Sequence, residues 1–271
     1  MPDFSGKTVV VTGCSSGVGA ATVTKLAARN ATVIGVDRVR GSDDAVAQMV
    51  LGDLSTRDGV LAIAEQITGP VHSLVNNAGV AATLPWRTVL SINALAPRDL
   101  TRALQPKFAP DATVVTTASQ AGFMWQQHYS LLNDFLAIDD WDTALDSFAD
   151  YPGIDGACYS LSKEAAIIWA GNLAVEGKAL GLRSNSVSPG TVGTPLLTDF
   201  TATMGAAVID GAAAWAGRHG RADEIADALL FLASSESTWI SGADVPVDGG
   251  FGAYVHRTFI APALAATATD D

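Results

Sequence analysis

The segment Thr12-Gly13-Cys14-Ser15-Ser16-Gly17-Val18-Gly19 joins a short β-rich run to a helical stretch. Glycines at such a junction allow a tight turn and a close approach of phosphate, and the helix N-terminus supplies amide donors and a favourable dipole. A plain strand-to-helix loop can have the same composition, but the position after the first strand favours a dinucleotide pyrophosphate site. We expect that site to be formed by Gly13, Ser15, Ser16, Gly17, Val18 and Gly19.

The same alternation of β-rich runs and helical stretches continues along the chain, which is typical of βαβ units and a parallel sheet. The continuous apolar runs indicate strands buried on both faces. The predicted strands cover residues 8–12, 32–37, 48–51, 71–75, 113–118, 183–188 and 244–247. The predicted helices cover residues 17–29, 57–67, part of 86–107, 157–180 and 223–233. With no linker and no internal repeat, we expect one α/β domain over residues 1–271.

Composition excludes several classes of function. The net charge of −12, from 28 acidic and 16 basic residues, disfavours binding to nucleic acid or to an anionic membrane. No apolar run reaches the ~20 residues of a membrane span, and the N-terminus lacks the layout of a signal peptide, so we expect a cytoplasmic protein. The two cysteines should be reduced thiols. The four histidines have no paired ligand spacing, so no metal is expected.

Two segments interrupt the alternation. Residues 123–155 are rich in aromatic residues and aspartates, and their apolar spacing predicts two short amphipathic helices, with Asp139 or Asp140 as an N-cap. Residues 195–220 are rich in Ala, Gly and Thr and are predicted to form a mobile lid over a substrate. The aromatic residues of the first segment and its surroundings either line an apolar wall of the pocket or only anchor the segment; these are Trp86, Phe123, Trp125 and Tyr129.

A carboxylate at the end of the second strand favours NAD over NADP. Asp37 follows the glycines by roughly 20 residues, where it would accept hydrogen bonds from the adenosine ribose and repel an added phosphate. Arg38 is the one residue here that would favour NADP, because an arginine in this position can meet a phosphate. We interpret it as a solvated surface residue. Asp53 and Leu54 follow the third strand, where Asp53 either accepts from the adenine amino group or only caps a turn. Asn77, Ala78 and Gly79 end the fourth strand and would let the backbone pass close to the cofactor.

Tyr159 and Lys163 lie one helical turn apart and therefore on the same helix face. A free tyrosine has a pKa near ~10 and is a poor base at neutral pH. The Lys163 ammonium and the positive charge of a nicotinamide would both favour the phenolate. Tyr159 would then take a proton from an alcohol during oxidation and return it to a carbonyl during reduction.

Together these motifs resemble the short-chain dehydrogenase/reductase family over nearly the whole chain. The matching pieces are residues 12–19, 76–79, Asn93, Ser119, Tyr159 with Lys163, residues 189–194 and Asp248-Gly249-Gly250. The resemblance implies a Rossmann-type, doubly wound seven-stranded parallel sheet in the order 3-2-1-4-5-6-7, with a helical insertion before the tyrosine helix. It also implies a homodimer or homotetramer.

The resemblance assigns further roles. Ser119, rather than Ser130 in the insertion, would donate a hydrogen bond to the substrate oxygen, because Ser119-Gln120-Ala121-Gly122 matches the family's strand-end pattern. Asn93 would hold a water joined to Lys163 in a proton relay, or it only caps or kinks a helix. Tyr159 and Lys163 are also expected to contact the cofactor. The nicotinamide end would be held by Pro189, Gly190, Val192 and Thr194.

The long stretch between Ser119 and Tyr159, and a short one between Gly79 and Asn93, resemble the subgroup with bacterial 3α-hydroxysteroid dehydrogenase/carbonyl reductase and coniferyl alcohol dehydrogenases. The resemblance implies an NAD-dependent enzyme for a bulky apolar secondary alcohol or its ketone, such as a hydroxysteroid or an aryl alcohol. A primary aryl alcohol is the alternative substrate. A lyase or epimerase variant and a non-catalytic NAD-binding regulator are further alternatives, although the regulator should have lost part of the catalytic set.

Overall fold

A computed structural model describes residues 2–41 and 45–261 of the chain. Seven parallel strands form one sheet in the order β3-β2-β1-β4-β5-β6-β7, which confirms the predicted fold. Their bounds are β1 Thr8–Thr12, β2 Thr32–Asp37, β3 Gln48–Leu51, β4 Val71–Asn76, β5 Phe108–Thr117, β6 Arg183–Pro189 and β7 Asp244–Val247. Because all strands run the same way, their carboxyl ends meet at one edge of the sheet, where open α/β folds bind ligands.

The helices cover both faces of this sheet, as a doubly wound fold requires. They are α1 Gly17–Ala27, α2 Arg57–Gln66, α3 Trp86–Leu90, α4 Ala96–Leu104, α5 Tyr129–Ala137, α6 Trp141–Asp146, α7 Ile154–Glu176, α8 Leu197–Met204, α9 Ala206–Ala216, α10 Ala222–Ala233 and α11 Phe251–Val255. Alternate residues of β1 belong to opposite cores. Val10 belongs to the core that also contains residues of the insertion and α7, whereas Val9 and Val11 belong to the core that contains residues of α1 and α10.

The helix predicted within residues 86–107 is interrupted. A π-helical turn, Ser91–Leu95, separates α3 from α4, and a short 3-10 turn, Gln105–Lys107, follows α4. A π-turn inserts one residue into the helical repeat and often occurs at a functional site. Here it carries Asn93, which is buried.

The insertion forms the two predicted helices, α5 and α6, and packs into the main core. Asp140 is the N-cap of α6, and its carboxylate accepts from the Thr143 amide at 2.8 Å. Phe135 and Phe148 are fully buried and meet edge to face at 5.1 Å between ring centroids. At the end of α5, the buried guanidinium of Arg98 donates to the carbonyls of Leu136 and Ile138 at 3.2 and 2.6 Å.

Candidate active site

A cavity of about 390 Å³ opens at the carboxyl edge of the sheet. It extends from the end of β2, through the loop before α1, to the first turn of α8. The predicted site residues that line it are Gly13, Ser16, Gly17, Val18, Asp37, Asp53, Leu54, Asn77, Ala78, Gly79, Ser119, Tyr159, Lys163, Pro189, Gly190, Val192 and Thr194. Three predicted residues, Ser15, Gly19 and Asn93, lie behind this lining and support it.

Glycine is required in the loop before α1 because the loop lies against the end of β4. Gly13 has φ +66, and a Cβ there would lie 2.8 Å from Ala78 Cα. A Cβ at Gly19 would overlap the Gly13 carbonyl oxygen. Ser16 is the N-cap of α1 but makes no side-chain cap hydrogen bond, so the first amides of this helix face the cavity without that acceptor. This cradle of bare backbone and amide donors fits a pyrophosphate.

The loop and the end of β4 are held together by side chains. The Thr12 hydroxyl accepts from the amides of Asn77 and Ala78, both at 3.0 Å. In return, Asn77 Nδ2 donates to the Thr12 carbonyl at 3.1 Å. The Asn77 side chain therefore shapes the floor of the cavity instead of pointing a free amide into it.

Asp37 has a fixed carboxylate at the end of the cavity where the adenosine is predicted to bind. Its Oδ2 accepts from the Ser15 amide at 3.0 Å, and its Oδ1 accepts from the amides of Arg38 and Val39 at 2.7 and 3.4 Å. Oδ2 keeps capacity for a further donor, so the carboxylate fits a ribose hydroxyl. Asp53 accepts from the amide and hydroxyl of Ser55, both at 2.9 Å, so it stabilises a turn as well as lining the cavity.

The predicted catalytic residues Ser119, Tyr159 and Lys163 lie together in the cavity lining. Lys163 Nζ lies 5.8 Å from the centre of the Tyr159 ring and donates to the Thr117 carbonyl at 3.0 Å. Ser119 Oγ accepts from the Ala121 amide at 3.1 Å, which leaves its proton available to a substrate oxygen or to Tyr159. Ser130, the alternative serine, is exposed on α5 and does not line the cavity.

Burial opposes charge at both titrating residues. It raises the pKa of Tyr159 to about 12, and a hydrogen bond with Ser119 acts in the opposite direction. Burial likewise lowers the pKa of Lys163 to about 8. In the protein without a cofactor, removal from water therefore opposes the phenolate. That the Lys163 ammonium and a nicotinamide charge together favour it stays a prediction.

Asn93 ties the π-turn to the catalytic helix. Its Oδ1 accepts from the Val80 amide at 2.9 Å, and its Nδ2 donates to the Val80 carbonyl at 2.9 Å and to Ser162 Oγ at 3.0 Å. Ser162 in turn donates to the Tyr159 carbonyl at 2.7 Å. The Asn93 side chain thus holds the backbone that carries Tyr159, and the water relay predicted for it stays a prediction.

Residues after β6 close the end of the cavity where a nicotinamide is predicted to bind. The Thr194 amide donates to the Val192 carbonyl at 2.8 Å, and Val192 forms a parallel bridge with Gly220. A Cβ at Gly190 would lie 2.9 Å from the Asp248 Cβ, so Gly190 allows close packing against the loop after β7. A Cβ on Gly17 would meet Thr194 at 3.4 Å, so this segment faces the glycine loop across the cavity.

The apolar wall comes from the segment after β6, the loop after β4 and the π-turn, and not from the insertion. Leu196 and Phe200 line the cavity with Val80 and Ile92, and the Phe200 ring lies 5.0 Å from the Tyr159 ring between centroids. Trp86, Phe123, Trp125 and Tyr129 do not line it. Leu196, Asp199 and Phe200 were not among the predicted site residues. Their helical spacing was the available signal, since residues three and four apart share a helix face.

The remaining reactive groups lie outside the cavity lining. Cys14 and Cys158 are buried free thiols, and burial raises the pKa of each. Within residues 2–41 and 45–261, no group of three His, Cys, Asp or Glu side chains is placed to hold a metal ion. In the same residues, no helix combines the length and apolar character needed to cross a membrane.

Comparison with known proteins identifies related families and relatives. Residues 7–131 match a family model described as short chain dehydrogenase, and residues 145–252 match one described as enoyl-(acyl carrier protein) reductase. Coniferyl-alcohol dehydrogenase of Pseudomonas sp. (strain HR199) is 34% identical, over 91% of this chain and 97% of that protein.

Solved structures agree in fold. The 3-alpha-hydroxysteroid dehydrogenase from Pseudomonas sp. B-0831, complexed with NADH, matches with a TM-score of 0.80 and 27% identity, over 93% of this chain and 99% of that one. A putative NAD(P)-dependent gluconate 5-dehydrogenase from Beutenbergia cavernae, with bound NADP, matches with a TM-score of 0.73 and 28% identity, over 93% and 98%.

Proposed function

The chain belongs to the short-chain dehydrogenase/reductase family, and from this premise we propose that it oxidises a bulky apolar secondary alcohol with NAD and reduces the corresponding ketone. More generally, the chain is an oxidoreductase that acts on CH–OH donors. The observation that carries the proposal is the convergence of Ser119, Tyr159 and Lys163 on a cavity whose other end has a phosphate cradle.

The protein's own residues would bind, orient and deprotonate the alcohol. The amides at the start of α1 would hold the pyrophosphate of a dinucleotide, and the Asp37 carboxylate would hold its adenosine ribose. When bound, its oxidised nicotinamide supplies a hydride acceptor and a positive charge. Ser119 would hold the substrate oxygen beside the Tyr159 hydroxyl, which takes the alcohol proton during oxidation. Lys163, held by the Thr117 carbonyl, would contact the ribose and stabilise the phenolate.

NAD is proposed over NADP because of Asp37. Its carboxylate accepts from three amides and lines the cavity, where it would repel a ribose phosphate. Arg38 also lines the cavity and offers the one cation at this end within the described residues. The relatives include structures with NADH and with NADP, so the choice depends on this chain's own residues.

The substrate class follows from the apolar wall. Val80, Ile92, Leu196 and Phe200 suit a bulky ring system, such as a steroid or an aryl alcohol. The named activities of the coniferyl-alcohol and 3-alpha-hydroxysteroid dehydrogenases support that range. The first of these also supports the alternative, a primary aryl alcohol. We further propose that residues 195–220 act as a lid, because the start of this segment lines the cavity.

We also propose that the chain forms a homodimer or homotetramer. Two large apolar side chains support an assembly, because Trp239 is 96% exposed and Val175 is 78% exposed in the single chain.

One assay separates these possibilities. Matched panels of hydroxysteroids, secondary aryl alcohols and primary aryl alcohols are offered with NAD, and NADH absorbance is recorded. NADP replaces NAD as the control. We expect oxidation of bulky secondary alcohols with NAD and much slower oxidation with NADP. No NADH formation from any alcohol would refute the proposed reaction, and faster turnover with NADP would refute the assignment to Asp37.

A further inference from the structure

The first turns of α8 present one face to the reaction end of the cavity. Asp199 and Phe200 follow Leu196 by three and four residues, and all three line the cavity. Residues with that spacing lie side by side on a helix. The ring of Phe200 contacts the ring of Tyr159, so Asp199 lies on the same wall as the group that is proposed to exchange the substrate proton.

Among the residues that the structure describes, the Asp199 carboxylate has no hydrogen bond or ion pair. Its main-chain carbonyl accepts from the Thr203 hydroxyl at 3.0 Å, but its side chain is left available to a ligand. The side chain is partly buried at the cavity wall. An acceptor in that position prefers a donor from a ligand to a second anion.

One cation, Lys163, lies at this end of the described lining, and its ammonium donates to the Thr117 carbonyl. The other basic residue of the lining, Arg38, lies beyond the end of β2. Arg218 and Arg221 flank the lid, but each pairs with an acidic neighbour in α10 and neither lines the cavity. A substrate carboxylate placed beside Asp199 would therefore be repelled by Asp199 and would find no arginine partner in the described lining.

We propose that Asp199 is a specificity-determining residue. It selects uncharged cyclic or aryl alcohols and ketones that carry a hydroxyl donor on the side away from the reacting carbon, and it rejects analogues with a carboxylate there. This inference rests on the proposed function and narrows its substrate class. Phe200 and Leu196 supply the apolar surface for the ring of the substrate. Asp199 favours a hydroxyl and disfavours a carboxylate as the substituent far from the reacting carbon.

Binding of a matched pair of ketones tests the proposal without requiring turnover. The probes are 4′-hydroxyacetophenone and 4-acetylbenzoate, which differ in the far substituent. Each is titrated into the NADH complex of the protein carrying Tyr159→Phe, which is expected to bind NADH without reducing the ketone, while NADH fluorescence is followed. We expect this protein to prefer the hydroxyl ketone by about tenfold or more, and the further change Asp199→Asn to remove most of that preference. Asp210→Asn is the control, because Asp210 is exposed on α9 and does not line the cavity.

Salt provides a second measurement on the Tyr159→Phe protein with Asp199 intact. Screening should strengthen binding of the carboxylate ketone and leave binding of the hydroxyl ketone unchanged. An equal preference with Asp199 and with Asp199→Asn, or no binding of either ketone to the NADH complex, would overturn the proposal. If the preference follows Asp199 but no alcohol is oxidised, the selectivity holds and the proposed reaction fails.

Discussion

Adding one methyl group to Gly13 should damage both folding and cofactor binding, and Gly6 provides a matched comparison. Both glycines have a left-handed backbone, with φ +66 and φ +71. An Ala side chain costs about 1 kcal/mol in that conformation. At Gly6 nothing lies within 4 Å of the new Cβ, whereas at Gly13 it would lie 2.8 Å from Ala78 Cα and 3.1 Å from Ala78 N.

The clash adds about 1–3 kcal/mol because backbone atoms of two strand ends must move apart. We therefore expect Gly6→Ala to lower the free energy of unfolding by about 1 kcal/mol, and Gly13→Ala by about 3 kcal/mol. Each gains the same small benefit from a stiffer unfolded chain, which cancels in the comparison. Urea unfolding followed by tryptophan fluorescence measures both values.

Cofactor binding provides the second readout. The movement that relieves the Gly13 clash opens the cradle between the glycine loop and the end of β4. NADH titration should show that Gly13→Ala binds NADH at least about tenfold more weakly than the wild type, and that Gly6→Ala binds it as the wild type does. Equal stability losses in the two variants, or normal NADH binding by Gly13→Ala, would refute the reasoning.

Tyr159→Phe should abolish turnover of the best alcohol in the panel and retain NADH binding; full residual activity would contradict its assigned role. Burial lowers the pKa of Lys163 from 10.5 to about 8, so between these values the unfolded chain binds more protons than the folded protein. The stability of the cofactor-free protein should therefore gain up to about 3 kcal/mol from this group as pH rises from 8 to 10.5. In Lys163→Met that gain should disappear from urea unfolding measured across the same pH range. Light scattering should give two or four times the 27.9 kDa of one chain, and a monomeric mass would exclude the proposed assembly.

Local patterns were sufficient to predict the strands, whereas their order in the sheet was implied by the family resemblance. Short apolar runs bounded by turn residues predicted the strands, and β1, β2, β3 and β7 have the predicted bounds. β5 begins earlier than predicted, at Phe108, because pairing with β4 and not local composition sets its start. The insertion helices and the Asp140 cap were also predictable, since capping and apolar spacing are local properties.

Features that depend on the path of the chain in space were not predictable. The spacing of Leu196, Asp199 and Phe200 indicates a shared helix face, but only the position of α8 turns that face toward Tyr159. The extra residue of the π-turn is hidden in an ordinary helical pattern. The pKa directions of Tyr159 and Lys163 depend on burial, which the spacing of the two residues does not reveal.

The contact between Arg98 and the end of α5 matters for anyone who builds chimeras from relatives of this chain. A graft of residues 123–155 alone would bring carbonyls that need a donor from α4, while deletion of the segment would expose a guanidinium that has no solvent access now. The segment and the arginine beneath it therefore form one transplantable unit, and exchange experiments should move them together.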